Sequence, residues 1–310
     1  MHLDRLDESY AMQLDGMGRR RRGRRRRASQ ANGGNCQEEE EGEGEGEDDP
    51  LAAPRSYSWA AVMGYPMVQT VPGTCGLVAT TVCVEAQHRK EFEAIHSKGK
   101  FPCRAAAPRK LRSACFRDRY WDPFADKYIR RRTWSPGKGS DETQVLGKVF
   151  ELGGVRTTNA PPPAPFLLPI HYWEAHYRIN GFTAKEAARV LHRQGPCVGR
   201  LFVTAEFFRN EVFTITDTPV VFRGCPREKR EEVKHKDKRA GMHAVVCYAY
   251  THTKKGKLIV LVLDNQQSTG PSTWVDFEEF DSFHVIIVKP LPPRHLLDRS
   301  ETSVYPVSGV

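Results

Sequence analysis

A cysteine at the junction of a turn and an apolar, helix-length run is the first residue of this chain that invites chemistry. In QTVPGTCGLVATTVCVEA, residues 69–86, a Pro-Gly turn leads through Thr74 into Cys75 and then into the run. A thiol at the first position of a helix meets the positive end of the helix dipole, which favours the thiolate, the nucleophilic form. The plain alternative is a small buried hydrophobe. A nucleophile needs a base close by, and the base needs a group that fixes its ring. Of eleven histidines, His2, His88, His171, His192 and His235 sit among polar or charged neighbours. His243 instead opens an apolar strand pattern, HAVVCYAY. The next such pattern, LIVLVLDN, delivers Asn265 at its end. Neighbouring strands would set Asn265 beside His243, where a carboxamide could accept an imidazole N–H and turn the other ring nitrogen toward sulfur.

The elements that must position these residues are legible in outline. Thr74 is the expected N-cap of a helix running toward His96. Cys75, Val78, Ala79, Val82, Cys83 and Ala86 then share one face, although the threonines and valines leave a strand open. DETQVLGKVFELGGV (141–155) reads as a short helix closed by Gly-Gly, and AKEAARVLHRQG (184–195) as an amphipathic helix with a glycine stop. Strands are expected at 197–205, 211–215, 243–250, 257–264 and 283–290, with a proline-rich connection at 159–169. Residues 98–140 are basic, broken by Pro and Gly, and show little periodicity. Helices first and strands later imply an α+β chain with two lobes.

Composition bounds the rest. The chain has 310 residues, 39% of them hydrophobic and 27% charged, with a formal charge of +9. Residues 1–50 carry nine basic and thirteen acidic side chains, so the body is the strongly basic part. Residues 1–56 read as a disordered charged tail, with RRRRGRRRR (19–27) ahead of EEEEGEGEGEDD (38–49). The arginine block could contact nucleic acid or direct nuclear import, and the acidic block could neutralise it in cis. Residues 296–310 read as a flexible C-terminal tail. The longest aliphatic run, LIVLVL (258–263), is too short for a membrane span, and the N-terminus has no secretory pattern. Cytoplasm or nucleus is the location expected from that. The eight cysteines form no CxxC pair and no zinc-ligand spacing, so neither a metal, a cofactor nor a disulfide framework is expected.

The order Cys75, His243, Asn265 resembles the papain family of cysteine peptidases. The segment 69–86 is similar to that family's nucleophile segment, with Gln69 at the oxyanion-hole glutamine, Gly73 at a matching glycine and Glu85 at a glutamate of the central helix. GPCVGRLFVTA (195–205) resembles the strand before the histidine, VFRGC (221–225) a Gly-containing strand segment, MHAVVCYAY the histidine motif, and LIVLVLDNQQSTGPSTW (258–274) the segment of the asparagine. ELGGVRTT (151–158) is a weaker match. Together they span residues 57–290. The separations from Cys75 to His243 and Asn265 exceed the family's roughly 130–150 residues, so insertions are expected near 98–140 and 227–239.

The resemblance implies a two-lobed fold over residues 57–295, with a helical left lobe carrying the Cys helix and an antiparallel β-barrel-like right lobe. It also implies a cysteine-type endopeptidase acting on protein or peptide substrates. Cys75 would attack, His243 would carry the proton, Asn265 would orient His243, and Gln69 with the Cys75 N–H would bind the oxyanion. As a default of the family, it points to vacuole or secretion.

The sequence departs from the family at several places. Pro72 replaces a cysteine, so the disulfide of that loop is absent, and Gly76 replaces a tryptophan. Gln266-Gln267-Ser268 follows Asn265 where Ser-Trp-Gly is usual, leaving Trp274 as a candidate shield for the histidine. No Gly-rich substrate-binding segment is recognisable in 98–140, and no inhibitory prosegment in 1–56. An inactive pseudo-peptidase that binds protein or nucleic acid, and an unrelated α+β domain with Cys75 and His243 in its core, are the competing readings.

Overall fold

The computed structural model describes residues 53–64, 66–122, 125–130, 133–136, 138–158, 166–209, 220–266 and 272–291. Residues 1–52 of the expected tail, the strand expected at 211–215 and the C-terminal tail lie outside the described residues. The chain is already paired at Ser56, within the stretch expected to be tail, because Ser56–Ser58 (β1) joins a long central strand.

The fold is mixed α+β. One long helix, α1 (Cys75–His96), runs through the middle. Beyond it come α2 (Arg109–Phe116), α3 (Glu142–Glu151), α4 (Ala184–Gln194) and α5 (Arg230–Lys236). The expectation for α1 was a helix with one apolar face. Instead every residue from Gly76 to His88 is buried, so the helix is enclosed on all sides. That enclosure explains how Thr80 and Thr81 are tolerated: Thr81 turns its hydroxyl onto the Leu77 carbonyl at 2.7 Å. Tertiary packing thus overrides the indifferent helix propensity of its valines and threonines.

The main sheet has eight strands among the described residues. β8 (Tyr172–Tyr177), β9 (Cys197–Val203), β10 (Val221–Phe222), β11 (Gly241–His252), β12 (Leu258–Leu263), β13 (Ser272–Asp276) and β14 (Phe280–Ile287) lie in the order β10-β13-β12-β11-β9-β14-β8, and β1 adds to β11 beyond the end of β9. The path is open, with β10 and β8 at its edges, so the expected barrel-like lobe does not close. Residues from Ala53 onward belong to one compact unit.

Both faces of this sheet are covered. On one face α1 and α3 bring Leu77, Val78, Val82, Val145, Leu146 and Val149 against Val198, Val246 and Tyr248. On the other, Ala187, Ala188 and Leu191 of α4 meet Leu201, Val245, Tyr250, Phe280 and Phe283. Residues along β11 alternate between the two cores until a bulge between Cys247 and Ala249. Two-sided burial accounts for the unbroken apolar runs that marked these strands in the sequence. Each fully enclosed Val or Leu contributes roughly 1.5–3 kcal/mol.

Local signals end the helices where they were expected to end. Asp141 caps α3 by accepting the Gln144 N–H, and Gly153 and Gly154 close it with φ of 76° and 127°. Thr183 and Glu186 form a reciprocal capping box on α4, and Gly195 stops it at φ 98°. Residues 98–140, unreadable by periodicity, hold α2 and two small hairpins. The hairpins are β2 (Arg119–Asp122) with β3 (Lys127–Arg130), and β4 (Trp134–Ser135) with β5 (Gly139–Ser140); further on, β6 (Val155–Arg156) pairs with β7 (Leu167–Leu168). The charged stretch 227–239 carries α5 on the surface. No helix among the described residues is long and apolar enough to cross a membrane.

Candidate active site

Cys75 is the first residue of α1, and the turn before it is built around Gly73 at φ 73°. Thr74 stands at the N-cap position without capping: its hydroxyl donates to the Val71 carbonyl at 2.6 Å. The helix start therefore has no side-chain cap, and its first-turn N–H groups stay available beside the thiol.

His243 meets Cys75 from the start of β11, and the two side chains share a hydrogen bond. The other partner of the ring is Asp264, whose Oδ1 lies 2.9 Å from Nε2. With Nε2 engaged there, Nδ1 is the ring nitrogen left for sulfur. Both His243 and Asp264 are 3% exposed.

Asn265, the expected partner of the imidazole, makes no such bond; both polar atoms of its buried amide are without hydrogen-bond partners. The pairing of β11 with β12 gives the reason. Val246 faces Leu263. Extending that register by one residue sets Asp264 opposite Val245, on the side of the sheet that His243 shares. Asn265 falls on the opposite side, because side chains alternate along a strand. Its main chain is used instead, accepting the Gln69 N–H at 2.6 Å.

That bond draws Gln69 to the site. The Gln69 side chain donates one amide hydrogen to the Val71 carbonyl at 3.1 Å, and its Oε1 has no partner. The second amide hydrogen is uncommitted. Glu85, also singled out in the sequence, is structural: its carboxylate accepts the Ala105 N–H and pairs with Arg89, both at 2.7 Å.

Charges at the site favour an ion pair. Burial pushes the Cys75 thiol up, but the hydrogen bond and charge of His243, with the Ala244 amide, outweigh it and leave the thiol below its ordinary value. Burial alone would strip the proton from His243. Asp264 and Cys75 reverse that and hold the imidazole up to about 10. A thiolate and an imidazolium between those limits is the state this geometry stabilises.

Several contributors carry no clear sequence signature. Phe207 and Phe208 set their rings edge-on to His243, each at 5.7 Å between centroids. They cover the ring, while Trp274 lies on β13 opposite Leu261. Trp134 of β4 donates its indole N–H to the Gly73 carbonyl at 2.7 Å, clamping the turn ahead of the thiol. Next to Gly76, Ser140 and Glu142 occupy the space a side chain would fill. Only long-range pairing brings these residues in, and only Asp264, adjacent to the expected asparagine, could have been found by counting strand register.

Two hollows lie elsewhere on the described surface. One of about 520 Å³ is lined by Met63, Arg89 and Phe101, and one of about 480 Å³ by Arg178, Cys225 and Arg230; neither includes Cys75 or His243. Among the described residues no group of three His, Cys, Asp or Glu side chains is placed to hold a metal ion.

No family model matches the chain, and no curated protein matches it. Solved structures do. Xylellain, a cysteine protease from Xylella fastidiosa, is similar with a TM-score of 0.48 and 15% identity over 78% of this chain and 90% of that one. Procathepsin B S9 from Trypanosoma congolense is similar at 0.47 and 12%, over 76% and 78%. The bromelain protease from Ananas comosus, in complex with the E64 inhibitor, gives 0.46 and 13%, over 76% of this chain and 100% of that one.

Proposed function

We propose that this chain is a papain-like cysteine peptidase that hydrolyses peptide bonds in protein or peptide substrates, with Cys75 as nucleophile, His243 as acid and base, and Asp264 as the group that orients the imidazole. The observation that carries the reading is the buried line from Asp264 through His243 to the thiol at the start of α1. In that line the base is both charged and fixed in direction.

In this reading the Cys75 thiolate adds to the substrate carbonyl carbon, and the carbonyl π electrons move onto oxygen. The Cys75 N–H and the uncommitted hydrogen of the Gln69 amide stabilise that oxyanion, a contribution of about 3–4 kcal/mol per donor in other proteases. As the C–N bond breaks, the His243 imidazolium gives its proton to the departing amine, leaving a thioester. Water then attacks the thioester while His243 takes its proton. Collapse frees the carboxylic acid and restores the thiolate. No cofactor enters. Asn265 serves through its main chain, by holding Gln69.

The test is exposure of a mixed peptide library to the full chain, with new termini read by mass spectrometry. Cleavage that disappears in Cys75→Ala and falls by several orders of magnitude in His243→Ala is the expected result. Absence of cleavage, together with alkylation of Cys75 only near the ordinary thiol pKa of about 8.5, would overturn the reading and leave a binding module.

A further inference from the structure

Glycine at position 76 makes room beside the thiol, and the room is taken. A Cβ on Gly76 would lie 2.5 Å from the Ser140 hydroxyl and 3.3 Å from the Glu142 carboxylate. Glu142 is the first residue of α3 and is 3% exposed. Its Oε2 lies 3.4 Å from the Arg200 guanidinium, close enough for an ion pair though not aligned for a hydrogen bond, so that oxygen is a buried acceptor with no donor. The Ser140 hydroxyl is likewise buried without a partner. Arg200 stands directly across from Ala244, whose amide serves the Cys75 sulfur.

We propose that Glu142, seated against Gly76 and balanced by Arg200, is a positioning residue that sets the pH range over which Cys75 and His243 exist as thiolate and imidazolium. This rests on the reading of those two residues as a nucleophile and its base. A negative charge buried beside both opposes the thiolate and supports the imidazolium. Because Glu142 and His243 are each only 3% exposed, such an interaction is weakly screened.

The groups facing the carboxylate are few. Cys75 and His243 both feel its charge; Arg200 pairs with it, and Asp141 precedes it. His284 of β14 stands one step further, against Asp141 and Arg200, while Tyr177 of β8 bonds Thr143 next along the helix. Burial raises the Glu142 pKa, Arg200 opposes this, and Asp141 adds to it. The charge that tunes the pair is therefore lost at a higher pH on acidification than that of an ordinary glutamate.

Glu142→Gln keeps the shape and removes the charge. The thiolate should then form at lower pH, and the imidazolium should lose its proton at lower pH as well. Both steps move the same way, which a loss of packing would not produce. Iodoacetamide alkylation of Cys75 from pH 4 to 10, read residue by residue, resolves the two steps without any substrate. Each should fall by about one pH unit in Glu142→Gln. Glu142→Met, better suited to a buried site, should reproduce the shift if the glutamine variant folds poorly. Asp141→Asn should move the steps less, because that side chain is 45% exposed.

A wild-type thiolate step below pH 7 that stays within about 0.2 units in both Glu142 variants would overturn this inference and leave the nucleophile reading intact. So would an equal shift from Asp141→Asn. A wild-type Cys75 that alkylates only in the ordinary thiol range would defeat the nucleophile reading itself.

Discussion

Asp264 and His243 face each other at 2.9 Å with almost no exposure to water, and the carboxylate reaches the imidazole from the residue just past the end of β12. Burial disfavours the charged ring, but the hydrogen bond to that carboxylate, the hydrogen bond and charge of Cys75 and the carboxylate's own charge together hold His243 protonated to about 10. Asp264→Asn should lower that value and so shorten the pH range of the ion pair from its alkaline side. We expect Cys75 alkylation at pH 8 to lose its dependence on His243, and a stability loss of about 3–5 kcal/mol from the imidazolium left without its partner. Asn265→Ala should leave the alkylation profile within about twofold, since its side chain has no partner to lose. Matching profiles for the two variants would show that the carboxylate does not act on the ring.

The indole of Trp134 stabilises the turn ahead of the thiol through one hydrogen bond and a buried ring. Trp134→Phe keeps most of the ring and removes the donor, leaving the Gly73 carbonyl unsatisfied. A stability loss of about 1–3 kcal/mol is expected by denaturant titration, with slower alkylation of Cys75 at pH 6. A change in stability without a change in alkylation would confine Trp134 to a packing role.

Phe207 and Phe208 separate His243 from solvent, but unequally: Phe207 is buried and Phe208 only half-buried. Phe207→Ala should cost about 3–5 kcal/mol through the cavity it leaves. Phe208→Ala should fold and admit water to the His243–Asp264 bond, weakening it by raising the local dielectric. The alkaline step of Cys75 alkylation would then fall by about half a pH unit or more. An unmoved step would mean that the ring does not shield the pair.

Acid should destabilise the fold through two histidines outside the site. His88 donates Nε2–H to the Pro169 carbonyl at 2.8 Å and has a buried Nδ1 without a partner; burial lowers its pKa to about 4. His284, beside Ser282, is lowered to about 4 by burial as well. A folded pKa below the unfolded value of about 6.5 means stability that is complete above pH 6.5 and lost as pH falls toward 4. Unfolding free energies measured between pH 7 and 4 should show this decline. His88→Gln, which can keep a donor to Pro169, should be less stable at pH 7 yet flatter across the range. An equally steep decline in that variant would assign the acid sensitivity elsewhere.

How much of this could be read from the residues depended on whether the signal was local. The helices around 184–195 and 141–155 announced themselves by capping residues, apolar spacing and terminal glycines, and their ends fall where those signals stand. The strands carrying His243 and the segment before Asn265 were visible as apolar runs because both faces of the sheet are covered. The choice between Asp264 and Asn265 was not local, since it turns on a one-residue difference in register across β11 and β12. That the barrel-like lobe is an open sheet was hidden for a similar reason: edges are decided by which strands pair, and composition is silent on that. Residues 98–140 were opaque because their hairpins are tied down by distant contacts, such as that of Trp134 to Gly73.

The long strand β11 has consequences for how the molecule comes apart. It is hydrogen-bonded along one side by β9 and then β1, and along the other by β12 from Val246 onward. His243 is held from the β9 side, and the residues that follow it, paired on both sides, exchange their amides with solvent only when the sheet opens. The turn before Cys75 depends on a handful of separate bonds, from Trp134, Thr74 and the Gln69 main chain. Amides of residues 66–74 should therefore exchange deuterium orders of magnitude sooner than those of 246–251. The thiol can leave its partner by a local excursion that the rest of the fold does not register, while the imidazole departs only with the core.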